Sequence, residues 1–238
     1  MPRLAKSYSR APKTPLPKPD SQKEISKVLL GRRTWRQFSR EAISLADLAT
    51  LLGLTFGVRE WIPIPGVGKF PLKTSPSAGA MHPIEAYVLA QRVENLAPGI
   101  YHYDSAQHEL ELLHRGTTKG ELTKMLAGQS WFAGAAAVVF LTAVFPRAQW
   151  KYRFPRAYRT VLIEAGHFAQ TYCLAATALG LAPFSTMALA ESRIENALGI
   201  DGVNEGVIYA AGVGKRPPGM AWETGAVPEK WLKRKKRR

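Results

Sequence analysis

The chain has 238 residues, 46% of them hydrophobic, and a formal net charge of +15. This composition can fill a sizeable core, which excludes an intrinsically disordered chain. The single cysteine, Cys173, excludes an intramolecular disulfide and a metal site built from cysteines, and we expect no bound metal. A lone cysteine in an apolar helical pattern also suits the reducing cytoplasm, where we expect the protein to be located.

The positive charge is concentrated at the two ends of the chain. Residues 1–23 contain six bases and one acid, and residues 229–238 contain seven bases and one acid, which leaves a net charge of only +4 between them. We therefore predict a basic N-terminal extension over residues 1–20, one folded domain over residues 21–220 and a basic tail over residues 221–238.

Such tails attract nucleic-acid phosphates without sequence preference, and they raise the hypothesis of a nucleic-acid-binding function. The body contains neither a zinc-ligand pattern nor a recognisable DNA- or RNA-binding motif, so we favour solvated extensions. The longest uncharged run, residues 125–146, is interrupted by glycines and polar residues, and a buried strand explains it better than a membrane span. We therefore expect no membrane partner.

The first elements in chain order are two helices and a loop. Apolar residues at helical spacing predict a helix over residues 21–30, which Gly31 would end. Ser44 suits the N-cap of a second helix, predicted over residues 45–54, with an acidic residue three positions after the cap. Residues 56–76 are rich in glycine and proline, so they are predicted to form a loop.

Strands dominate the next part of the chain. Residues 85–91, 99–103 and 108–113 have the composition of three strands joined by turns, which predicts an antiparallel meander. A helix is expected near residues 118–127, and a buried strand is expected over residues 135–145.

One long apolar helix dominates the second half. Pro155 suits the first turn of a helix and Gly180 the position just past its end, so the residues between them should form a central core helix that also contacts a partner subunit. A short helix over residues 190–198 and a buried strand over residues 206–213 follow. The predicted fold class is α+β, with helices flanking a mainly antiparallel sheet.

Two segments carry cations that could bind an anionic ligand. The first helix is followed directly by a basic turn that contains Arg32, Arg33, Thr34 and Arg36. Guanidinium groups and a hydroxyl match phosphate oxygens, although a solvated basic turn is the ordinary explanation. Lys215 and Arg216 follow the last strand, where they could reach a ligand or simply be solvated.

Two further segments carry residues suited to a flat ligand and to proton transfer. Small residues between Pro76 and Pro83 would let backbone amides approach a ring closely, whereas an ordinary loop entering a strand is the plainer explanation. Lys151 and Tyr152 could share a proton-transfer role because each perturbs the ionisation of the other, but exposed pairs of this kind are common.

Together and in this order, the four segments resemble the nitroreductase superfamily, and most specifically its SagB-type dehydrogenases. The resemblance extends over roughly residues 24–216 and is sharpest at residues 75–85, 99–104, 157–159 and 164–167. It implies the nitroreductase fold and an obligate homodimer with two FMN molecules at the subunit interface.

The resemblance also implies roles for individual residues. The FMN phosphate and ribityl chain would be bound by the basic turn, Arg32, Arg33, Thr34 and Arg36, and the phosphate or the N1–O2 edge by Lys215 and Arg216. The flavin ring would be bordered by Pro76, Ser77, Ala78, Gly79 and Met81. The segment that covers the ring would contain Ser185, Thr186 and Met187, although it has less glycine here than the family pattern.

The reaction that the resemblance implies is oxidation of a thiazoline or oxazoline ring in a peptide. Lys151 and Tyr152 match the pair that serves proton removal in azoline oxidases while hydride passes to FMN. The alternative is an NAD(P)H-dependent nitro- or quinone reductase acting on a small molecule, since such enzymes need no Rossmann glycine motif. A flavin-binding protein without turnover is the third hypothesis.

Overall fold

An antiparallel six-stranded sheet organises the computed structural model, which describes residues 22–66, 68–116 and 119–219. In spatial order its strands are Glu109–Arg115 (β5), Gly99–Asp104 (β4), Ile84–Ala90 (β3), Ala137–Val144 (β6), Glu205–Gly214 (β8) and Ala182–Thr186 (β7). Every neighbouring pair is antiparallel. The predicted basic extensions, residues 1–20 and 221–238, lie outside the described residues and stay predictions.

A separate hairpin and six helices complete the described part of the chain. The hairpin consists of Glu60–Ile64 (β1) and Gly68–Leu72 (β2). The helices are Glu24–Gly31 (α1), Leu45–Phe56 (α2), Lys119–Met125 (α3), Phe145–Lys151 (α4), Tyr158–Ala178 (α5) and Glu191–Leu198 (α6). The predicted α+β class and the mainly antiparallel sheet are therefore confirmed.

The central strands are buried because helices cover both faces of the sheet. Along β6, Val139 and Leu141 join the core formed with α2 and α5, whereas Val138 and Phe140 join the core formed with α3 and α6. Side chains alternate between the two faces with a period of two, so a strand covered on both sides has an unbroken apolar sequence. Strand β6 is the buried strand that was predicted within the uncharged run of residues 125–146.

The long helix α5 holds one core together and reaches across the sheet. Its 21 residues give a length of about 32 Å at 1.5 Å per residue. Phe168 on its buried face stacks on Phe56 of α2, with ring centroids 5.3 Å apart and an interplanar angle of 6°. Leu162 and Ile163 lie on its other side and are exposed.

The capping prediction at α2 is confirmed, and the boundaries of the long helix differ slightly from the expected ones. The Oγ of Ser44 accepts a hydrogen bond from the backbone N–H of Asp47 at 2.9 Å. Pro155 begins a 3₁₀ turn, Pro155–Ala157, and not the α-helix itself, which starts at Tyr158.

The prediction of a loop over residues 56–76 was wrong, because this segment contains the β1–β2 hairpin. Its prolines, Pro63 and Pro71, lie in a two-stranded ribbon that has no further strand beside it among the described residues. Proline is tolerated on such edges because its missing N–H removes no ladder hydrogen bond there. Gly66 has a φ of 76° in the connecting turn, a conformation that favours glycine.

Two other elements were not predicted. The strand expected to run to residue 145 ends at Val144, and α4 begins immediately because Pro146 in its first turn suits a helix start. Strand β7 was missed because it has only five residues and one of them is Pro183, which weakens a strand pattern.

We predict that Gly212→Ala lowers the free energy of unfolding by about 1–3 kcal/mol, because overpacking a closed core forces side chains and backbone to move. A Cβ at this position would lie 2.2 Å from Cε1 of Phe184, whose ring stacks on Phe132 with centroids 4.0 Å apart. Denaturant titration measures the change. The cost should shrink in a Phe184→Leu background, and an equal cost in both backgrounds would contradict the clash.

Candidate functional site

The basic turn after α1 lies against the end of the sheet, near the C-terminal half of α5. Trp35 is buried at its centre, and the Trp35 backbone N–H donates a hydrogen bond to the Pro183 carbonyl at 2.8 Å. The Ser39 N–H donates to the Lys215 carbonyl at 2.9 Å. These two bonds fix the turn beside β7 and the end of β8, although the residues are far apart in the sequence.

The guanidinium groups of the turn also shape its backbone. Nη1 of Arg33 donates to the carbonyls of Leu30 at 2.9 Å and Arg32 at 2.7 Å, and Nη1 of Arg36 donates to the Thr34 carbonyl at 3.3 Å. Burial lowers the pKa of Arg36, but an arginine keeps its charge in a protein. The turn is therefore a dense cationic site whose conformation depends on its own arginines.

The two cations after β8 reach the same region. Nζ of Lys215 lies 3.4 Å from the Glu41 carboxylate. Nε of Arg216 donates to the Leu181 carbonyl at 3.1 Å, and its guanidinium carbon lies 5.5 Å from the centroid of the Trp35 ring. Arg216 therefore contacts the tryptophan at the centre of the basic turn, whereas the side chain of Lys215 pairs with Glu41.

The predicted ring-covering residues have three different environments. Oη of Tyr209 donates a hydrogen bond to Oγ of Ser185 at 3.5 Å. Burial raises the pKa of the Cys173 thiol to about 11, and Ser185 and Arg32 partly offset that rise. The hydroxyl of Thr186 exchanges hydrogen bonds with Gln129 at 3.0 and 3.2 Å. Met187 is exposed. Of the three residues, Ser185 lies nearest in the chain to Pro183, whose carbonyl accepts the hydrogen bond from Trp35 of the basic turn.

The predicted ring-bordering loop has a specific and strained backbone. Its 3₁₀ turn, Ala78–Ala80, contains Gly79 with a φ of 61°, and Ala80 and His82 have φ values of 57° and 42°. Non-glycine residues in this left-handed region cost energy that the surroundings must offset. Contacts from α4 and α5 supply that support.

A buried carboxylate on α5 anchors the loop. The Ser77 hydroxyl donates to Oε2 of Glu164 at 2.6 Å and accepts from the His82 backbone N–H at 2.9 Å. Glu164 is 2% exposed, and burial raises the pKa of its carboxyl group, partly offset by hydrogen bonds from Ser77 and the Ala78 backbone. In the sequence, Glu164 lies in the segment 164–167, one of those where the family resemblance is sharpest, but that resemblance assigned it no role.

The imidazole of His82 lies beside the same carboxylate. Nδ1 of His82 is 3.9 Å from Oε1 of Glu164, and both atoms are buried without a hydrogen-bond partner among the described residues. Burial lowers the pKa of His82 to about 4, with a further contribution from the charge of Lys73. His82 is therefore neutral at neutral pH.

The Lys151–Tyr152 pair converges on the loop from the end of α4. Nζ of Lys151 donates to the Gly79 carbonyl at 3.3 Å. A Cβ built on Gly79 would lie 2.6 Å from the Lys151 amine and 2.8 Å from Oη of Tyr152. The two functional groups thus meet over the one residue of the loop that has no side chain.

A polar cluster that the sequence did not reveal lies behind the loop. Arg147 donates to the His82 carbonyl at 3.1 Å and forms an ion pair with Glu85. His102 contacts the same carboxylate at 3.4 Å and Glu111 at 2.7 Å. These residues come from α4, β3, β4 and β5, and no local pattern in the chain brings them together.

The predicted site residues therefore form two groups in one chain. The basic turn lies beside Thr177 of α5, because Gly31 at its start approaches that side chain, while the loop is anchored at Glu164. Thirteen residues of helix separate these two anchor points, which corresponds to about 20 Å.

The family of the chain follows from comparison with known proteins. The nitroreductase family profile matches residues 29–215. The chain belongs to the nitroreductase family. A protein of Methanocaldococcus jannaschii named as a nitroreductase is 31% identical over 177 residues, which is 74% of this chain and 85% of that protein.

Other relatives of this nitroreductase-family chain are larger or more distant. The trifolitoxin-processing protein TfxB of Rhizobium leguminosarum bv. trifolii is 30% identical over 173 residues, 71% of this chain but 46% of TfxB, so the chain spans about half of that relative. The Escherichia coli microcin synthetase McbBCD complex, with truncated pro-MccB17 bound, contains a chain of the same fold, with a TM-score of 0.66 and 24% identity over 90% of this chain and 79% of that one.

A solved structure of a Desulfovibrio desulfuricans protein in complex with FMN has the same fold. Its TM-score is 0.55 and its identity 16%, and the match covers 89% of this chain and 95% of that chain.

Within the described part of this nitroreductase-family chain, none of the helices combines the length and apolar character of a membrane span. The same residues contain no group of three or more side chains placed to bind a metal ion.

We predict that His102 makes the free energy of unfolding fall between pH 6.5 and pH 9. Its hydrogen bond to Glu85, followed by that to Glu111, raises its pKa from 6.5 to about 9. The stabilisation is complete below pH 6.5, where both states are protonated, and is lost as the pH rises through 9. It amounts to about 2 kcal/mol once partial solvent exposure is allowed for.

Urea titrations at pH 6, 7.5 and 9 test this prediction by comparing the wild type with His102→Gln. The difference in free energy between the two proteins should shrink as the pH rises. A constant difference across the range would show that the imidazole carries no extra proton in the folded state.

Proposed function

We propose that this nitroreductase-family chain is an FMN-dependent oxidoreductase of the SagB type that oxidises an azoline ring in a peptide to an azole. The observation that supports this reaction most is the convergence of Lys151 and Tyr152 on Gly79, within the loop expected to border the flavin. Two groups that can exchange a proton would thereby face the position where a substrate ring meets the cofactor.

The residues present fit FMN as a phosphorylated cofactor. Arg32, Arg33 and Arg36 lie in one turn, and the Lys215 carbonyl accepts a hydrogen bond from the N–H of Ser39, which follows that turn. Guanidinium and ammonium groups form charge-assisted hydrogen bonds with phosphate oxygens, and Thr34 adds a hydroxyl donor. We propose that this turn binds the phosphate and that Ser185 lies on the path towards the ring.

We further propose that the protein is a homodimer whose flavin sites combine the two groups. The groups are about 20 Å apart along α5 of one chain, so the loop of one subunit would meet the basic turn of the other. Exposed apolar side chains on α1, Leu29 and Leu30, and on α5, Leu162 and Ile163, would be covered by such an interface.

The proposed reaction sends the proton and the hydride of the substrate ring to different groups. Conversion of an azoline to an azole removes one proton and one hydride from the ring. FMN, when bound, supplies the hydride acceptor, and oxygen regenerates it. One group of the pair, Lys151 as its neutral amine or Tyr152 as its phenolate, would accept the single ring proton and hold it at Nζ or Oη, while the Gly79 carbonyl fixes the position of the amine.

The names of the relatives favour two different reactions, oxidation of a peptide and reduction of a small molecule. TfxB processes trifolitoxin and McbBCD is a microcin synthetase, and both names support a peptide substrate for this chain. The Methanocaldococcus jannaschii relative is named as a nitroreductase, which favours the alternative of an NAD(P)H-dependent reductase acting on a small molecule. Fold and cofactor are shared, so the substrate must be tested.

We predict that Lys151→Ala and Tyr152→Phe each lower the rate of flavin reduction by a thiazoline peptide by about 10²–10⁴-fold, the usual contribution of general acid–base catalysis. Anaerobic stopped-flow bleaching of FMN measures the rate. FMN affinity, determined by fluorescence titration, should change little because neither side chain belongs to the basic turn.

Bleaching by NADPH, with none by the peptide, would instead support the reductase. Full reduction rates in both variants would contradict the assignment of the pair. Arg193→Ala, which alters a cation of α6 distant from the loop in sequence, is the control for a change of charge alone.

We also predict that Ile163→Asp converts the dimer to a monomer and weakens FMN binding by more than about tenfold, since a buried unpaired charge costs several kcal/mol at an interface. The Ile163 side chain is 59% exposed in one chain, so the fold itself should tolerate the change. Sedimentation gives the mass. Val203→Asp, at another exposed apolar residue, is the control, and an unchanged mass in Ile163→Asp would remove this face from the interface.

A further inference from the structure

The β1–β2 hairpin presents an apolar face to a cleft beside the loop that contains Gly79. Ile62 pairs directly with Phe70, and side chains alternate along strands, so Ile62 and Ile64 share a face with Phe70 and Leu72. Trp150, near the end of α4, lines the same cleft and is 61% exposed. Exposed apolar surface of this extent commonly marks a binding site.

The cleft adjoins the candidate catalytic pair. Its volume is about 370 Å³, within the range of small-ligand pockets, and its lining includes Gly79, Met81 and Lys151. Lys151 therefore belongs both to the cleft and to the contact with the loop, where its amine donates to Gly79. A ligand in the cleft would touch the side chain that is expected to handle the proton.

We propose that this cleft binds an apolar side chain of the peptide substrate, at the residue next to the ring that is oxidised. The inference rests on the proposed function and names the sequence context that the site prefers. Consecutive Cα atoms are about 3.8 Å apart, so a ring held at Lys151 and Tyr152 brings its neighbouring residue to the cleft. Burial of that side chain against the hairpin supplies the affinity.

The surrounding charges and backbone define the occupant further. Lys69 and Arg147 line an adjoining cavity of about 290 Å³, and Lys151 lines the cleft itself, so a cationic side chain would be repelled. Pro63 and Pro71 remove N–H donors from the hairpin, which disfavours binding of the peptide as an added strand. Recognition therefore depends on the side chain.

Binding can be measured without turnover. Fluorescently labelled peptides that contain a stable thiazole, followed by Leu, Ser or Lys, are titrated with the FMN-loaded full-length protein and followed by anisotropy. The Leu peptide should bind about 10–100-fold more tightly than the Ser peptide, since each buried methylene contributes severalfold. The Lys peptide should bind most weakly.

Two adjacent variants provide a matched comparison. Ile62→Ser alters the cleft face and should reduce the preference for Leu over Ser to less than about threefold. Trp61→Ser alters the next residue, which points to the other face of β1, and should leave the preference intact. Equal affinity for the three peptides, no binding of any of them, or equal effects of the two variants would overturn the inference.

The remaining outcomes separate this inference from the proposed function. A changed oligomeric mass in Ile62→Ser would assign the hairpin to a subunit contact and overturn the proposed cleft. The expected peptide preference without oxidation of the matching thiazoline peptides would leave the apolar subsite standing and reject the azoline oxidase reaction.

Discussion

The buried hydrogen bond between Ser77 and Glu164 is the interaction on which the candidate site depends. The loop that follows Pro76 has left-handed residues, and a chain does not keep such a conformation without external support. The carboxylate of Glu164 provides that support from a helix packed on the sheet, and the loop in turn fixes the amine of Lys151. The buried carboxyl group of Glu164 thus connects the core of the fold to the candidate site.

The main helices and strands could be predicted because short stretches of the sequence show their burial and their caps. Strand β6 has an unbroken apolar run, α2 has its cap at Ser44, and α5 has a long apolar stripe, and each pattern reports a buried element. The hairpin could not be predicted in this way. Strand β1 is exposed, β2 is at most half-buried, and each contains a proline, so no alternation of buried and exposed residues marks them in the sequence.

The candidate site was only partly accessible from the sequence. The basic turn and the Lys151–Tyr152 pair are short continuous motifs, and resemblance to a family could identify them. The positions of Glu85, His102 and Arg147 follow from the pairing of separate strands with α4, and charged residues spread over the chain give no indication that they meet. The basic turn, the loop after Pro76 and the Lys151–Tyr152 pair are likewise arranged in space by the assembled sheet, and the sequence does not give the distances between them.

The hairpin lies apart from the two hydrophobic cores, and this separation has an evolutionary consequence. Mutations on a ribbon that contributes little to the folded state leave global stability almost unchanged, so its sequence can drift without endangering the protein. Its prolines also protect its open edges from pairing with other chains. With the proposed side-chain subsite on this hairpin, substitution of a few exposed residues would change the peptide preference and leave the residues of the core unchanged.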